Sequence, residues 1–143
     1  MDRPVFSRQK CEPCEGGISP LTKEEAKGFL VDLQGGFESP PGTSSRLSWE
    51  IVEEGKSIEK VFAFETKSVW PENYQDGADF IRQIVEIAQQ ENHHPTTISL
   101  QTRRKGAHVH VKFSTHAIGG LSKNDFMMAA RLNNLFERWD GNP

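Results

Sequence analysis

The run Thr97-Ile98-Ser99-Leu100-Gln101-Thr102, the segment Arg103-Arg104-Lys105-Gly106 and the run His108-Val109-His110-Val111-Lys112-Phe113-Ser114-Thr115 decide the fold class. Two strand-like runs joined by a short basic, glycine-containing segment predict an antiparallel hairpin, with the charged tip in solvent. Alternation along the second strand puts His108 and His110 on one face of the sheet.

Working outward, the residues before this hairpin predict a helix over Gly77 to Glu91, capped by Asp76. Phe80, Ile81, Ile84, Val85, Ile87 and Ala88 recur there at helical spacing. The stretch from Lys67 to Gln75, with Trp70, Pro71 and Asn73, is expected as a loop. Further upstream, Leu47 to Glu53 and Ile58 to Thr66 flank Glu54-Gly55-Lys56-Ser57 and predict a second hairpin. Thr22-x-x-Glu25 has the form of a capping box, and a helix is expected from Lys23 to Leu33, ended by Gly35-Gly36. After the first-quoted hairpin, Ser122-x-x-Asp125 marks another helix start, followed by Phe126, Met127, Ala129, Ala130, Leu132, Asn133 and Phe136 at helical spacing. The order helix, hairpin, helix, hairpin, helix predicts an α+β domain with an antiparallel sheet and helices packed on one face.

The chain has 143 residues, enough for one domain with a single core. Seventeen basic against twenty acidic residues give a net charge of −3, which argues against direct nucleic-acid binding or an anionic membrane surface. No run reaches the ~18 apolar residues of a membrane span, and Met1 to Lys10 lacks the apolar core of a secretory signal. A soluble protein is expected, in the cytoplasm, or inside an organelle if a transit peptide was removed. Residues 1–20, punctuated by Pro4, Pro13, Pro20 and Gly16-Gly17, form an extended arm in this reading, and residues 21–140 form the domain. The arm carries Cys11 and Cys14. Structural zinc needs about four ligands and a second pair is absent, while a redox pair normally opens a helix; Glu15-Gly16-Gly17 follows instead, so a non-catalytic role is expected.

The histidines carry the chemistry. His93 and His94 stand between a helix and Pro95, which pushes the residue before it toward extended geometry. His116 closes a strand before Ala117-Ile118-Gly119-Gly120, a turn that lets a ligand approach the backbone. Imidazoles give and take protons near neutral pH, so three of them suit acid–base catalysis. Structural histidines are the plainer alternative. A zinc shell of imidazoles and water is the third, and adjacent histidine side chains diverge too much to favour it.

Glu91-Asn92-His93-His94-Pro95, followed by a hairpin and then Ser114-Thr115-His116-Ala117-Ile118-Gly119-Gly120-Leu121-Ser122-Lys123-Asn124-Asp125-Phe126, closely resembles the pterin-4a-carbinolamine dehydratases, also known as dimerisation cofactors of a homeodomain transcription factor. The likeness spans roughly residues 20 to 138 and includes Trp49, the Ile58–Phe64 strand and the Ala78–Ala88 helix. It implies a four-stranded antiparallel sheet with helices on one side, and a homodimer or homotetramer. The implied activity is dehydration of 4a-hydroxytetrahydropterin to quinonoid dihydropterin in tetrahydrobiopterin recycling, with neither metal nor organic cofactor.

By the same resemblance His93, His94 and His116 are the catalytic set, and Asp125 supports them. Trp49, Pro95, Ser114, Thr115 and Ala117 are then expected to bind substrate, with the backbone of Ser114 and Thr115 pairing with the amide edge of the pterin. Two departures stand out. Thr96-Thr97 follows His-His-Pro where many members carry an aromatic or acidic residue, and the link from Pro95 to Thr115 is lengthened at its basic tip. Some relatives act without catalysis, as RuBisCO assembly factors or transcriptional coactivators, so a protein partner is the alternative the extra surface suits.

Overall fold

The computed structural model describes residues 19–34, 48–64, 72–103 and 106–140, and in it the two expected hairpins join through their inner strands. The elements are α1 (Lys23–Leu33), β1 (Glu50–Val52), β2 (Ser57–Phe64), α2 (Glu72–Glu91), β3 (Thr97–Arg103), β4 (Gly106–Phe113) and α3 (Lys123–Asp140). The sheet order is β1-β2-β4-β3, all antiparallel, with β2 and β4 in register from Ile58↔Phe113 to Phe64↔Ala107. The α+β expectation holds, with four strands and three α-helices among the described residues.

Alternation sorts the two faces. Ile58, Phe62 and Phe64 of β2 and Ala107, Val109, Val111 and Phe113 of β4 turn toward the helices and are buried. Their neighbours Glu59, His108, His110 and Lys112 lie on the opposite, half-buried face, where His110 Nε2 meets Glu59 Oε1 at 3.1 Å. Phe62 sits between the rings of Phe80 (4.9 Å between centroids), Phe136 (5.1 Å) and Trp49 (6.0 Å), so one strand residue ties α2, α3 and the lead-in to β1 together. Burying such a ring stabilises by about 1.5–3 kcal/mol, and each aromatic pair adds about 0.5–1.5 kcal/mol.

Helix α1 begins as expected. Thr22 Oγ1 accepts the Glu25 N–H at 3.1 Å, and Glu25 Oε1 accepts the Thr22 N–H at 2.9 Å. Its buried Ala26 and its Phe29, 5.5 Å from Phe126, seat it against α3. Leu21 N–H donates to the Leu121 carbonyl at 2.9 Å, so the chain is already docked one residue before the cap.

Several boundaries differ from the sequence reading. Helix α2 starts at Glu72, within the stretch expected as a loop, and Gly77 lies inside it. A Cβ on Gly77 would stand 2.7 Å from Leu100 Cδ1 and 3.4 Å from Val109 Cγ2, so the glycine marks a close approach of helix and sheet. Strand pairing persists to Arg103↔Gly106, while β1 is reduced to Glu50–Val52. Thr115, expected in the strand, lies beyond the end of β4. Cys11, Cys14, Gly35, Gly36, Thr66, Arg104 and Lys105 lie outside the described residues.

One polar group in the core was not anticipated. Lys60 is on the helix-facing side of β2; its Nζ donates to Asn133 Oδ1 at 3.0 Å and stands 4.6 Å from the centre of the Phe62 ring. Desolvation lowers its pKa to about 8 from 10.5, against an opposing pull from Glu137. The folded state therefore binds fewer protons than the unfolded chain between these two values, and stability rises with pH across that window. In urea unfolding from pH 7 to 10.5, the stability of the native chain minus that of Lys60→Met is expected to rise by on the order of 1–3 kcal/mol. A flat difference would show that the buried amine carries no such cost.

Candidate active site

Helix α2 is closed by its own backbone. Asn92 takes the left-handed conformation (φ 53°), its N–H donates to the Gln89 carbonyl (3.4 Å), and the next N–H, of His93, donates to the Ala88 carbonyl (3.1 Å). The pair of bonds forms a Schellman motif, with asparagine in the place glycine most often fills. It delivers His93 at a fixed angle against the end of β4, where the imidazole stacks on Phe113 (6.2 Å between centroids, 17° between planes).

The other wall comes from the chain after β4. Thr115 and Gly120 form an antiparallel bridge, with Thr115 N–H on the Gly120 carbonyl at 2.8 Å. The bridge pinches off a single 3₁₀ turn, His116–Ile118, which Gly119 ends in the left-handed region (φ 67°). His116 and Ala117 are exposed on this turn.

The two walls meet at Asp125 in the first turn of α3. Its side chain is fully buried. Oδ1 receives His93 Nε2 at 2.6 Å, and Oδ2 accepts from Thr115 Oγ1 at 2.8 Å and from the Ser122 N–H at 2.9 Å. The His93 side chain is only 11% exposed, so this pair interacts in a poorly solvated setting. With Nε2 donating to the carboxylate, His93 Nδ1 holds no hydrogen bond to any described residue and is left to exchange a proton. A carboxylate behind an imidazole fixes its tautomer and stabilises the imidazolium that forms when it acts as a base.

The expected site residues divide accordingly. His93, Thr115 and Asp125 are joined directly, and His116 is held next to them by chain continuity. His94 is exposed and Pro95 half-buried at the entry to β3. Ser114 Oγ and Thr96 Oγ1 pair at 2.7 Å on the surface beside them. Two of the expected substrate-binding residues are engaged within the chain. Trp49 is 2% exposed, with its Nε1 on Asn133 Oδ1 at 2.8 Å and its ring against Phe113, so it packs within the core. The backbone N–H of Thr115 donates to the Gly120 carbonyl.

The sequence reading also missed Phe113, which as one of a series of buried strand residues gave no sign of stacking on a site histidine. An open depression of about 320 Å³ between Glu59, His108, His110 and Arg103 lies on the far side of the sheet from His93.

A family profile described as pterin 4 alpha carbinolamine dehydratase matches residues 19–135. The chain belongs to this family. A Methylococcus capsulatus protein named "Putative pterin-4-alpha-carbinolamine dehydratase" is 33% identical over 135 residues, covering 94% of this chain and 96% of its own. A Nitrosomonas eutropha protein of the same name is 34% identical over 127 residues, covering 89% of each. Among solved structures, a transcriptional coactivator/pterin dehydratase from Brucella melitensis superposes with a TM-score of 0.56 at 22% identity, over 82% of this chain and 98% of its own; at that identity the likeness concerns the fold. The His93-His94-Pro95 and Thr115-His116 segments, which carry the resemblance in the sequence, are the two that Asp125 holds together here.

Asn92 offers a test of the helix closure. Asn92→Val is expected to lose about 1–2 kcal/mol, since a β-branched residue resists the left-handed conformation, whereas Asn92→Gly is expected to stay within about 1 kcal/mol of the native chain. Chemical denaturation of both variants measures the difference.

Proposed function

We propose that the chain removes water from a 4a-hydroxytetrahydropterin by histidine acid–base catalysis, giving quinonoid dihydropterin. The observation that carries this reading is the buried His93–Asp125 pair, whose carboxylate also holds the residue next to His116. The reaction breaks the bond between carbon 4a and its hydroxyl oxygen, releases that oxygen as water after protonation, and removes the proton on N5 as the N5–C4a double bond forms. It needs one acid and one base on a bound pterin.

His93 suits the base. Asp125 occupies Nε2, so Nδ1 takes the N5 proton and the carboxylate stabilises the resulting imidazolium. His116, on its exposed turn, delivers the proton to the departing hydroxyl, and His94 orients that hydroxyl. The pterin is the substrate class this family's name specifies.

The working form is proposed to be a homodimer or homotetramer. Tyr74 and Val85, the exposed large hydrophobic residues of the described chain, are eleven positions apart on α2 and so fall on one stripe of that helix. Light scattering is expected to show an oligomer, and Val85→Lys is expected to lower its order; an unchanged mass would remove this stripe from the interface.

The central test follows absorbance after a 4a-hydroxytetrahydropterin is generated in the presence of micromolar protein. Acceleration over the spontaneous reaction is expected, with His93→Ala and His116→Ala each slower by about 10²–10⁴-fold. No acceleration by the native chain would favour the partner-binding reading, which the Brucella protein's description as a coactivator also raises.

A further inference from the structure

The pattern Ser122-x-x-Asp125 at the start of α3 brings its two side chains into different bonds. The Asp125 carboxylate accepts the Ser122 N–H, but the Ser122 hydroxyl turns toward Thr115 Oγ1 at 2.6 Å. Both hydroxyls are buried: Thr115 is 3% exposed and Ser122 8%.

Proton counting sets the direction of this chain. An ionised carboxylate can only accept, so the single hydroxyl hydrogen of Thr115 goes to Asp125 Oδ2. Thr115 then has only lone pairs left for Ser122, and Ser122 must donate. The relay runs Ser122 Oγ–H to Thr115 Oγ1–H to Asp125 Oδ2, with His93 on the other carboxylate oxygen. Each donor polarises the next, and in a site shielded from water the chain strengthens as a unit.

We propose that Thr115 and Ser122 are positioning residues for the reaction, a two-hydroxyl relay that sets the tautomer of His93 and the separation between His93 and His116. This rests on the dehydratase reading of the site. Thr115 acts at both ends. Its hydroxyl braces Asp125, hence His93, and its backbone bridge to Gly120 anchors the turn that begins at His116. The same bonds engage its hydroxyl within the chain, with the hydrogen on Asp125 and the oxygen facing Ser122.

The test compares Thr115→Val, Thr115→Ser, Ser122→Ala and Ser122→Thr by steady-state kinetics, by ¹⁵N NMR of the imidazoles and by thermal unfolding. Thr115→Val keeps the shape and removes the donor. It is expected to lower kcat by about tenfold or more, the loss of a buried charge-assisted bond, with KM within about threefold. Its His93 signals should move from the single Nε2–H tautomer to a mixture. Ser122→Ala should lose less, about three- to tenfold, because Thr115 can still donate. The hydroxyl-retaining Thr115→Ser and Ser122→Thr should recover most of the rate and the native tautomer.

A Thr115→Val protein with native kcat or an unchanged His93 tautomer overturns the proposal. So does a rate loss in Thr115→Val that Thr115→Ser fails to recover while both remain folded. The NMR arm stands apart from activity: if the native chain does not dehydrate the pterin, the functional reading fails, and the tautomer response of His93 still decides the relay.

Discussion

A carboxylate with no exposed surface must be surrounded by donors, and Asp125 gathers them from three separate pieces of chain. Burying an unpaired carboxylate costs several kcal/mol, so the fold is held to arrangements in which His93, Thr115 and the Ser122 N–H all arrive. That demand fixes the end of α2, the end of β4 and the start of α3 relative to one another. The sheet register then has little freedom, because Phe113 must stack on His93 while Val109 and Val111 stay under the helices.

The hydrophobic layer and the polar site are built on the same strand. Alternate residues of β4 form the floor of the core, and the strand's last core residue, Phe113, is also the platform for His93. Trp49 also packs against Phe113 and is itself tied to Asn133, which also receives Lys60. A change in the aromatic core is therefore felt at the imidazole through one ring. The open face of the sheet stands apart from this linkage, with its contact of His110 with Glu59 and its ion pair of Lys112 with Glu53.

Much of the architecture was legible because it depends on local periodicity. The Thr22–Glu25 cap forms as written, the alternation in β2 and β4 selects their buried face, and the helical spacing of Phe80, Ile84 and Ala88 selects the packed side of α2. The errors share a cause. Gly77 has the local signature of a helix boundary, but the lack of a side chain there answers to Leu100 and Val109, which are distant in sequence. Trp49 has the residue type of a ligand-stacking side chain, and only the packing of Phe62 and Phe113 around it shows that the ring is enclosed.

The sequence by itself determined the order of elements, the antiparallel pairing within each hairpin and the family, because periodicity, capping and the two histidine segments are properties of short stretches. It also named the histidines and Asp125. Only the tertiary structure decided which groups meet: Asp125 reaches across 32 residues to His93, Ser122 turns its hydroxyl to Thr115, and Lys60 is drawn into the core. Such choices follow from which donor and acceptor are left facing each other once the apolar faces have closed, and that competition has no local signature.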